Sequence, residues 1–426
     1  MRIGIVIGRI GDIDGVSLET EKWIHVLRRL GHDLYIIAGR FTNHYVEQDR
    51  ETLLPMLSFF SPECEWEQKR AFFYPDDNPD ELIRHLEHTS EVVAIQLFKW
   101  IMNNRIDILL CENSSALPCH LSMGMGIKKL VEHTGIRTVC HDHDFYWERG
   151  DRYKSPHKQI VGIRDVTFPL QIPHVRHAVI NHDAKEVLKT RYNIESTVVP
   201  NVMDFNKPYA EKDEYNADLL AMLGLQENDI PIFQVTRIDR RKGIEVAIEL
   251  IDRLEDEQVK LVVTGSKADD ERLGYFKYLL DVIYQRKMED RVFFGYRRIL
   301  PERGTSHDQQ KIYSIPDAYA NARACTYFSR YEGFGNAFLE TLYYQKPIVI
   351  SAYEIFKTDI QPKGFEVIGF DDFIEEATVM QAKEILNNPS EATRMVTHNY
   401  ALGLKHYSFE NLKRKISSVL YDTLGA

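Results

Sequence analysis

Short apolar runs rich in valine and isoleucine alternate with amphipathic stretches along the first 200 residues. The runs lack strict alternation of apolar and polar positions, which is typical of parallel strands covered by helices on both faces. The pattern predicts helices at 19–30 and 79–104, and strands at 3–8, 33–38, 106–111, 137–141, 177–181 and 196–199.

A second series of the same kind begins after Pro200-Asn201. It predicts helices at 243–254 and 274–286, and strands at 230–236, 259–265, 291–295, 322–329 and 347–351. The polar stretch 206–228 is expected to link the two series, and 299–314, which shows no periodicity, to be an inserted loop. Two doubly wound α/β domains with a cleft between them account for this organisation. In such domains ligands bind at the carboxyl ends of the strands.

Composition and charge narrow the range of functions. The 426 residues suffice for two or three domains, and the net charge of −11, shared by both halves, argues against nucleic acid and anionic membranes as partners. No apolar run approaches the roughly 18 residues that span a bilayer, and the start lacks a signal-peptide pattern. Five cysteines without a C-x-x-C pair indicate neither a disulfide framework nor a zinc cage. We therefore expect a cytoplasmic protein without stable membrane insertion.

Two predicted strand-to-helix loops carry residues suited to phosphate. The loop from Gly8 to Gly15 matches neither G-x-G-x-x-G nor the P-loop, so a nicotinamide or P-loop site is disfavoured, and a plain tight turn stays open. The loop 236–243 places Arg237 and Lys242 ahead of a helix, where they could clamp a diphosphate. A solvated basic loop would show the same charges.

Among the candidate functional motifs, the segment 331–340 gives the most information about chemistry. It follows the strand predicted at 322–329 and leads into a helix that is predicted to run to about residue 345. Glu332 lies in the loop, Gly335 and Asn336 open the helix, and Glu340 lies about one turn further on. The two carboxylates are therefore expected to have separate roles. The alternative remains that Glu332 is only a charged loop residue and Glu340 only a surface residue, without a role in binding.

The segment 140–149 contains His141 and His143 in an H-x-H pattern, which would suit a metal. The segment lacks the further histidine of the hydrolase pattern H-x-H-x-D-H, so a metal is disfavoured. Tyr146 and Trp147 could stack on a sugar or could pack in the core. The basic cluster that begins at Arg149 is either a solvated loop or a site for a phosphorylated or carboxylated acceptor.

Together these elements resemble the retaining GT-B glycosyltransferases of glycosyltransferase family 4 along almost the whole chain. The most specific element is E-x7-E, from Glu332 to Glu340, and R-x4-K-G is met by Arg237 and Lys242-Gly243. Further matching segments lie at 31–32, 138–142, 199–204 and 406–410. A departure is Asp14-Gly15, where the family has Gly-Gly.

The resemblance implies a GT-B fold, in which two Rossmann-like doubly wound domains face each other across a cleft. An N-terminal acceptor-side domain is expected at 1–204 and a C-terminal nucleotide-sugar-binding domain at 205–400. Residues 401–426 are expected to form a helix that crosses back to the first domain.

The resemblance also implies roles for individual residues. Arg237 and Lys242 would hold the donor diphosphate and stabilise the leaving group, Glu332 would contact the donor sugar, and His141 would lie near the outer hydroxyls of the sugar. Other donor contacts are expected from Gly15, Arg298 (stacked on the base), Gly333, Phe334, Gly335, Asn336 and Glu340 (on the ribose). Acceptor contacts are expected from Asp14, Asp142, Tyr146, Trp147 and Arg149.

The implied activity is retaining transfer of a hexose from a UDP- or GDP-hexose to a small polar acceptor, giving an α-glycoside. Neither a cofactor nor a metal is expected, because arginine and lysine already neutralise the diphosphate. Three alternatives stay open: a glycosyl phosphorylase or disaccharide synthase on the same fold, a lipid or polysaccharide glycosyltransferase, and a binding module without activity. The sucrose-phosphate-synthase-like branch is favoured over the lipid-linked branch because the N-terminal half is acidic. The sequence leaves a homo-oligomer open.

Overall fold

The computed structural model describes residues 1–11, 14–266 and 272–425, so Asp12 and Ile13 of the first glycine loop lie outside the described residues. The chain divides into two compact units. Unit 1 comprises Met1–Val202 and Phe409–Ala426, and unit 2 comprises Met203–Ser408.

Unit 1 contains a seven-stranded parallel sheet with the order β3-β2-β1-β4-β5-β6-β7. Its strands are β1 (Arg2–Ile7), β2 (Asp33–Ala38), β3 (Glu51–Leu53), β4 (Ile108–Glu112), β5 (Arg137–Asp142), β6 (Val175–Val179) and β7 (Ser196–Val198). Its first six helices are α1 (Gly15–Arg29), α2 (Pro62–Gln68), α3 (Asp80–Asn104), α4 (Leu121–Thr134), α5 (Lys158–Thr167) and α6 (His182–Tyr192).

The apolar runs of unit 1 are buried on both faces of the sheet. Ile5 of β1 packs in a cluster with Trp23 of α1, whereas its neighbour Val6 packs in a second cluster with Leu97 of α3. Gly4 allows α3 to come close, because a Cβ at this position would lie 2.7 Å from the Trp100 ring. This two-sided burial explains why the strands show no alternation of apolar and polar residues.

Unit 2 contains a six-stranded parallel sheet with the order β10-β9-β8-β14-β15-β16, and a small three-stranded sheet with the order β11-β13-β12. The strands are β8 (Ile230–Gln234), β9 (Val259–Val263), β10 (Val292–Phe294), β11 (Ile299–Leu300), β12 (Gly304–Thr305), β13 (Lys311–Ser314), β14 (Ala324–Tyr327), β15 (Ile348–Ser351) and β16 (Ile368–Phe370). The helices are α7 (Leu219–Leu223), α8 (Ile244–Arg253), α9 (Arg272–Gln285), α10 (Ile315–Asn321), α11 (Asn336–Tyr343), α12 (Glu376–Asn387) and α13 (Pro389–Tyr407).

The last helix, α14 (Phe409–Leu424), belongs to unit 1. Its apolar face, which includes Leu412 and Ile416, packs in the same cluster as Trp23. Residues 401–408, which the sequence analysis grouped with this helix, instead form the end of α13 and Ser408 in unit 2. Tyr407 is fully buried there and stacks on Phe365, with ring centroids 5.8 Å apart.

Two parallel-sheet α/β units confirm the predicted fold class, and two connecting segments differ from expectation. The segment 299–314 is not an irregular loop but the small sheet β11-β13-β12, whose strands of two to four residues are too short to show a period. The segment 206–228 is not a free linker. It includes α7, and its Asn216 is fully buried and donates to Asp317 of α10 at 2.9 Å. Among the described residues, none of the helices combines the length and the apolar character that crossing a bilayer requires.

Candidate functional site

The predicted donor residues of unit 2 lie where the order of its sheet reverses. β8 lies between β9 and β14, and the chain leaves β8 toward β9 but leaves β14 toward β15 on the other side. The loops that follow β8 and β14 therefore diverge at the carboxyl edge, which is where open α/β sheets bind ligands. Arg237 and Lys242 belong to the first loop, and Glu332 belongs to the second.

The loop after β8 is held in place through its backbone. The Asp239 carboxylate accepts a hydrogen bond from the Arg241 amide at 2.8 Å and so caps a single 3-10 turn, Arg240–Lys242. Gln234 of β8 donates to the carbonyl of Lys242 at 2.7 Å. Gly243 follows with φ +59°, and a Cβ there would lie 2.3 Å from the Phe328 carbonyl oxygen. Only glycine fits this approach to the end of β14.

Glu332 joins the two loops through ion pairs. The ammonium of Lys242 donates to Glu332 Oε1, and Arg241 Nη1 lies 2.9 Å from the same oxygen. Burial opposes ionisation of Glu332, but the attraction of Lys242 and Arg241 outweighs it and lowers the pKa of the carboxyl. Burial also lowers the pKa of Lys242, against the pull of Glu332. The arrangement is a mostly buried carboxylate between two cations.

Arg237 lies at the exposed side of this group. It is solvent-exposed, and its charge is among those that act on Lys242. The structure thus brings Lys242 and Glu332 into contact and places Arg241, rather than Arg237, as the second cation on Glu332. Arg241 is not predicted from the sequence, because spacing alone does not distinguish it within the run Arg-Arg-Lys at 240–242.

The glycine segment after Glu332 is tightly packed. Gly335 has φ +118°, and a Cβ there would lie 2.2 Å from the hydroxyl oxygen of Tyr353. That hydroxyl donates to the carbonyl of Phe334 at 2.6 Å, and Phe334 itself is buried. Gly333 is half-buried, and α11 begins at Asn336, as predicted. The positive end of the α11 dipole thus lies a few residues beyond Glu332.

Glu340 and Arg298 are the two remaining predicted donor residues of unit 2. Glu340 Oε2 accepts a hydrogen bond from Tyr319 at 2.8 Å, and the Tyr319 ring stacks on Tyr344 with centroids 4.5 Å apart. Arg298 follows β10 and is half-buried, and its Nη1 atom is buried without a hydrogen-bond partner among the described residues. Glu332 and Glu340 therefore have different partners.

Unit 1 also has a point where the sheet order reverses, between β1 and β4. Glu112 ends β4 and is the register partner of His141 on β5. Both are buried, and Glu112 Oε2 lies 2.8 Å from His141 Nδ1 and 3.2 Å from the Thr20 hydroxyl. Because a carboxylate can only accept, His141 donates through Nδ1–H. The sequence analysis missed Glu112, although an acidic residue at the end of a buried strand was a usable signal.

Burial and mutual attraction set the pKa values of His141 and Glu112. Burial lowers the pKa of His141 against the attraction of Glu112, which keeps the imidazole neutral. Burial alone would raise the pKa of Glu112, but His141 and His143 outweigh it and hold the pKa at about 2. The His141 ring lies between two others: its centroid is 4.2 Å from Trp23 and 4.2 Å from His143.

Asp142 has a different partner from its neighbour His141. Its Oδ2 lies 2.7 Å from His177 Nδ1, and His177 Nε2 lies 2.9 Å from the carbonyl of Leu170. Both ring nitrogens of His177 thus face acceptors, which requires the doubly protonated imidazolium. Burial opposes this charge, but Cys140 and the Asp142 carboxylate outweigh it and raise the pKa of His177 to about 9. This is a fully buried ion pair.

The predicted acceptor residues Tyr146 and Trp147 are half-buried in an aromatic cluster. Trp147 stacks on Phe145 with centroids 4.5 Å apart and an interplanar angle of 4°. The Tyr146 hydroxyl contacts Tyr192 at 2.9 Å and Asp165 at 3.1 Å. Core packing, which the sequence analysis left open, thus accounts for much of the surface of both rings.

The remaining acceptor-side residues have local partners. Asp14 caps α1, since its carboxylate accepts from the amides of Val16 and Ser17, and it pairs with Arg9 at 3.3 Å. Gly15 is the exposed first residue of α1. Arg149 forms an ion pair with Asp144.

The chain is similar to known glycosyltransferases. The family model described as "Glycosyl transferases group 1" matches residues 218–401. Mannosylglucosylglycerate synthase of Petrotoga mobilis is 32% identical over 86% of this chain and 86% of its own length, and the enzyme of the same name from Thermotoga maritima is 31% identical over 98% and 99%. Sucrose-phosphate synthase from Thermosynechococcus elongatus shares the fold, with a TM-score of 0.66 and 15% identity over 99% of this chain and 98% of its own.

These likenesses agree with the geometry of unit 2. The R-x4-K-G motif at 237–243 and the E-x7-E motif at 332–340 both begin in loops at the carboxyl edge of one parallel sheet. The family model covers most of unit 2, and the synthases extend the likeness to nearly the whole chain. The chain therefore belongs to the GT-B glycosyltransferases of the family 4 type and is a hexosyltransferase.

Proposed function

We propose that this chain transfers a mannosyl group from a nucleotide diphosphate sugar to a small sugar acid such as glucosylglycerate, with retention of configuration. The observation that carries the proposal is the likeness along nearly the whole chain to enzymes described as mannosylglucosylglycerate synthases. A glycerate-containing acceptor is small, polar and carboxylated. The sequence predicts a small polar acceptor and leaves open whether it is phosphorylated or carboxylated.

On the donor side, the loops after β8 and β14 bind the nucleotide. Arg237 and Lys242 hold the diphosphate and stabilise the charge that develops on it as the sugar leaves. Arg241 orients Glu332, which contacts the donor sugar, and Glu340 accepts from the ribose hydroxyls. Backbone amides of Gly333, Phe334, Gly335 and Asn336 contact sugar and phosphate, Gly15 allows close approach to the phosphates, and Arg298 stacks on the base.

On the acceptor side, His141 contacts the outer hydroxyls of the donor sugar. Burial lowers the pKa of this imidazole against the attraction of Glu112, and the hydrogen bond to Glu112 and the stacking on Trp23 hold the ring in place. Arg149 attracts the acceptor carboxylate, and Asp14, Tyr146 and Trp147 line the acceptor site. Asp142, which is fully buried in its ion pair with His177, does not contact the acceptor directly. The diphosphate needs no divalent metal, since the cations of unit 2 neutralise it. We place the reaction in the cytoplasm, where free cysteines stay reduced and nucleotide sugars are available.

A matrix of donors and acceptors tests this proposal. The enzyme is incubated with GDP-mannose, UDP-mannose, GDP-glucose or UDP-glucose, each with glucosylglycerate, glycerate or glucose 6-phosphate. Released nucleoside diphosphate is measured, and the anomeric configuration of the product is read by NMR. We expect a mannosyl donor with glucosylglycerate to give the fastest release and a product that keeps the configuration of the donor.

Controls separate the alternatives. Glucosylglycerol, which has the same size but lacks the carboxylate, is expected to react more slowly than glucosylglycerate. Equal rates would contradict a carboxylated acceptor. Breakdown of an α-disaccharide that depends on inorganic phosphate and needs no nucleotide would instead identify a phosphorylase. Release from no donor with any acceptor in the matrix would refute the proposed substrates.

A further inference from the structure

Three potential metal ligands converge at the carboxyl ends of β4 and β5 in unit 1. His141 lies on β5 and His143 directly follows the end of that strand, and the centroids of their rings are 4.2 Å apart. Glu112 is the register partner of His141 on the neighbouring strand. All three residues are more than nine-tenths buried, with exposed fractions of 0% for Glu112, 1% for His141 and 8% for His143.

The distances suit a single cation. Glu112 Oε2 lies 2.8 Å from His141 Nδ1 and 3.7 Å from His143 Nε2, and the three ligand atoms all lie within 4.8 Å of one another. A tetrahedral metal with bonds of about 2.0–2.2 Å separates its ligand atoms by roughly 3.3–3.6 Å. The observed distances to Glu112 bracket that separation, so small side-chain shifts would admit the ion.

Two of these side chains have atoms without partners. Glu112 Oε1 and His143 Nε2 are buried and make no hydrogen bond within the described part of the chain. An unsatisfied buried polar atom costs about 1–3 kcal/mol, so a native structure needs a reason for it. A cation beside His143 Nε2 would accept its lone pair, and its charge would balance the buried Glu112 carboxylate.

The charge of the site also favours a bound cation. The groups that lie within ion-pair distance of Glu112 are histidines, and no lysine or arginine pairs with it in the described ranges. A buried carboxylate normally requires a full countercharge. The backbone of the two histidines is also held in advance, since Asn113 Oδ1 accepts from the His143 amide at 3.1 Å and the Asn113 amide donates to the His141 carbonyl at 2.9 Å.

We propose that Glu112, His141 and His143 bind one divalent transition-metal ion in unit 1. Two imidazole nitrogens and one carboxylate oxygen suit zinc best, with the fourth position open to water or a hydroxyl. The ion replaces the Nδ1 proton of His141 and fixes both imidazole rings. The sequence analysis disfavoured a metal because it sought the further ligand within the H-x-H segment, whereas Glu112 comes from the neighbouring strand.

Metal content tests the proposal without donor or acceptor, so its failure is distinguishable from failure of the transferase assignment. The chelator-treated full-length protein is reconstituted with zinc sulfate, desalted and analysed for zinc per chain, and its melting temperature is compared with and without zinc. We expect one zinc per chain and a higher melting temperature with zinc. Glu112→Gln keeps an acceptor for His141 but removes the charge, and His143→Ala removes a ligand. Each is expected to weaken zinc binding by about 100-fold or more.

The exposed histidine variant His88→Ala is the control and should bind zinc like the parent. Cobalt substitution gives a second measurement on the unaltered chain, since four-coordinate cobalt bound to a protein absorbs visible light far more strongly than hydrated cobalt. Absence of stoichiometric zinc and of that band in the parent protein would overturn the proposal. Zinc bound equally well by folded Glu112→Gln and His143→Ala would overturn it too.

Discussion

Glu332 and Lys242 form an ion pair although 90 positions separate them along the chain. They meet because β8 and β14 are parallel neighbours whose following loops start from the same edge of the sheet. A mostly buried carboxylate thus holds a cation at the place where a doubly wound sheet binds its ligand. The donor site that we propose depends on this relationship.

Replacement of Lys242 should affect turnover strongly. Lys242→Met removes the ammonium while keeping a side chain of similar length, so charge on the departing nucleotide loses a stabilising partner. We expect kcat to fall by roughly 10²–10³, as for the loss of one preorganised donor in other active sites. The measurement is the initial rate of nucleoside diphosphate release at saturating substrates.

The matched control is Arg240→Met, two residues away. The Arg240 guanidinium lies over the rings of Tyr275 and Tyr278, at 5.1 and 5.7 Å, rather than on Glu332. This variant should keep most of the parental turnover. If Lys242→Met and Arg240→Met lost activity to the same degree, a specific role for Lys242 would be wrong.

Gly243 should not tolerate a side chain. Its φ of +59° is unfavourable for alanine, and the added Cβ would lie 2.3 Å from the Phe328 carbonyl oxygen. We expect Gly243→Ala to lower the free energy of unfolding by about 1–3 kcal/mol and to reduce activity, because Lys242 precedes it directly. Gly274→Ala is the control: none of the described residues has an atom within 4 Å of a Cβ there, and alanine favours helix α9. Equal unfolding midpoints in urea for the two variants would contradict the steric argument.

Glu148 should make stability fall as pH rises. Burial raises the pKa of its carboxyl to about 7, despite the hydrogen bond from the Phe145 amide and with a small contribution from Asp183. The folded protein therefore binds a proton that the unfolded chain has already released, and stability is lost from the ordinary glutamate pKa of about 4.5 up to about 7. The loss is at most roughly 3 kcal/mol, since one pKa unit corresponds to about 1.4 kcal/mol and part of the side chain is exposed.

Glu148→Gln tests this directly, because the amide oxygen still accepts from Phe145 and carries no charge. We expect the variant to be more stable than the parent at pH 8 and equally stable at pH 4, by urea unfolding at both pH values. The exposed variant Glu186→Gln should follow the parent. A parental curve that is flat between these pH values would refute the shift.

The contribution of His177 to folding stability should change at higher pH than that of Glu148. Its pKa is raised to about 9, so the ion pair with Asp142 stabilises the fold fully below about pH 6.5, the ordinary histidine value, and this contribution is lost as pH rises to about 9. His177→Gln removes the imidazolium and leaves Asp142 buried without its countercharge. We expect the variant to be less stable than the parent by roughly 3 kcal/mol at pH 6 and to differ much less at pH 9.5. A difference that is the same at both pH values would show that His177 is neutral.

Much of the fold could be predicted because its signals are local. The strand predicted at 33–38 matches β2 exactly in extent, and the helix at 79–104 differs from α3 by one residue. Both are long or strongly apolar. The segment 299–314 was missed as a sheet because its two-residue strands carry no period, and its order depends on contacts such as Asp218 with Tyr313 at 2.9 Å.

The candidate site could be predicted only where one segment contains the motif. One continuous segment contains Glu332, Gly335 and Asn336. The loop and the helix start on which they lie could therefore be predicted from the sequence. The pairings of Glu112 with His141 and of Arg241 with Glu332 join segments 29 and 91 positions apart. These contacts depend on the order of the strands in each sheet. The pattern of residues within one segment does not reveal that order.

The most direct test of the donor site is calorimetric titration of UDP and GDP into the parent enzyme and into Lys242→Met. If the cations of the loop after β8 hold a diphosphate, one of the two nucleotides binds the parent with micromolar affinity, and Lys242→Met weakens that affinity by about tenfold or more, as expected for the loss of a charge-assisted hydrogen bond. Absence of binding by either nucleotide, or equal affinity in both proteins, would contradict the account.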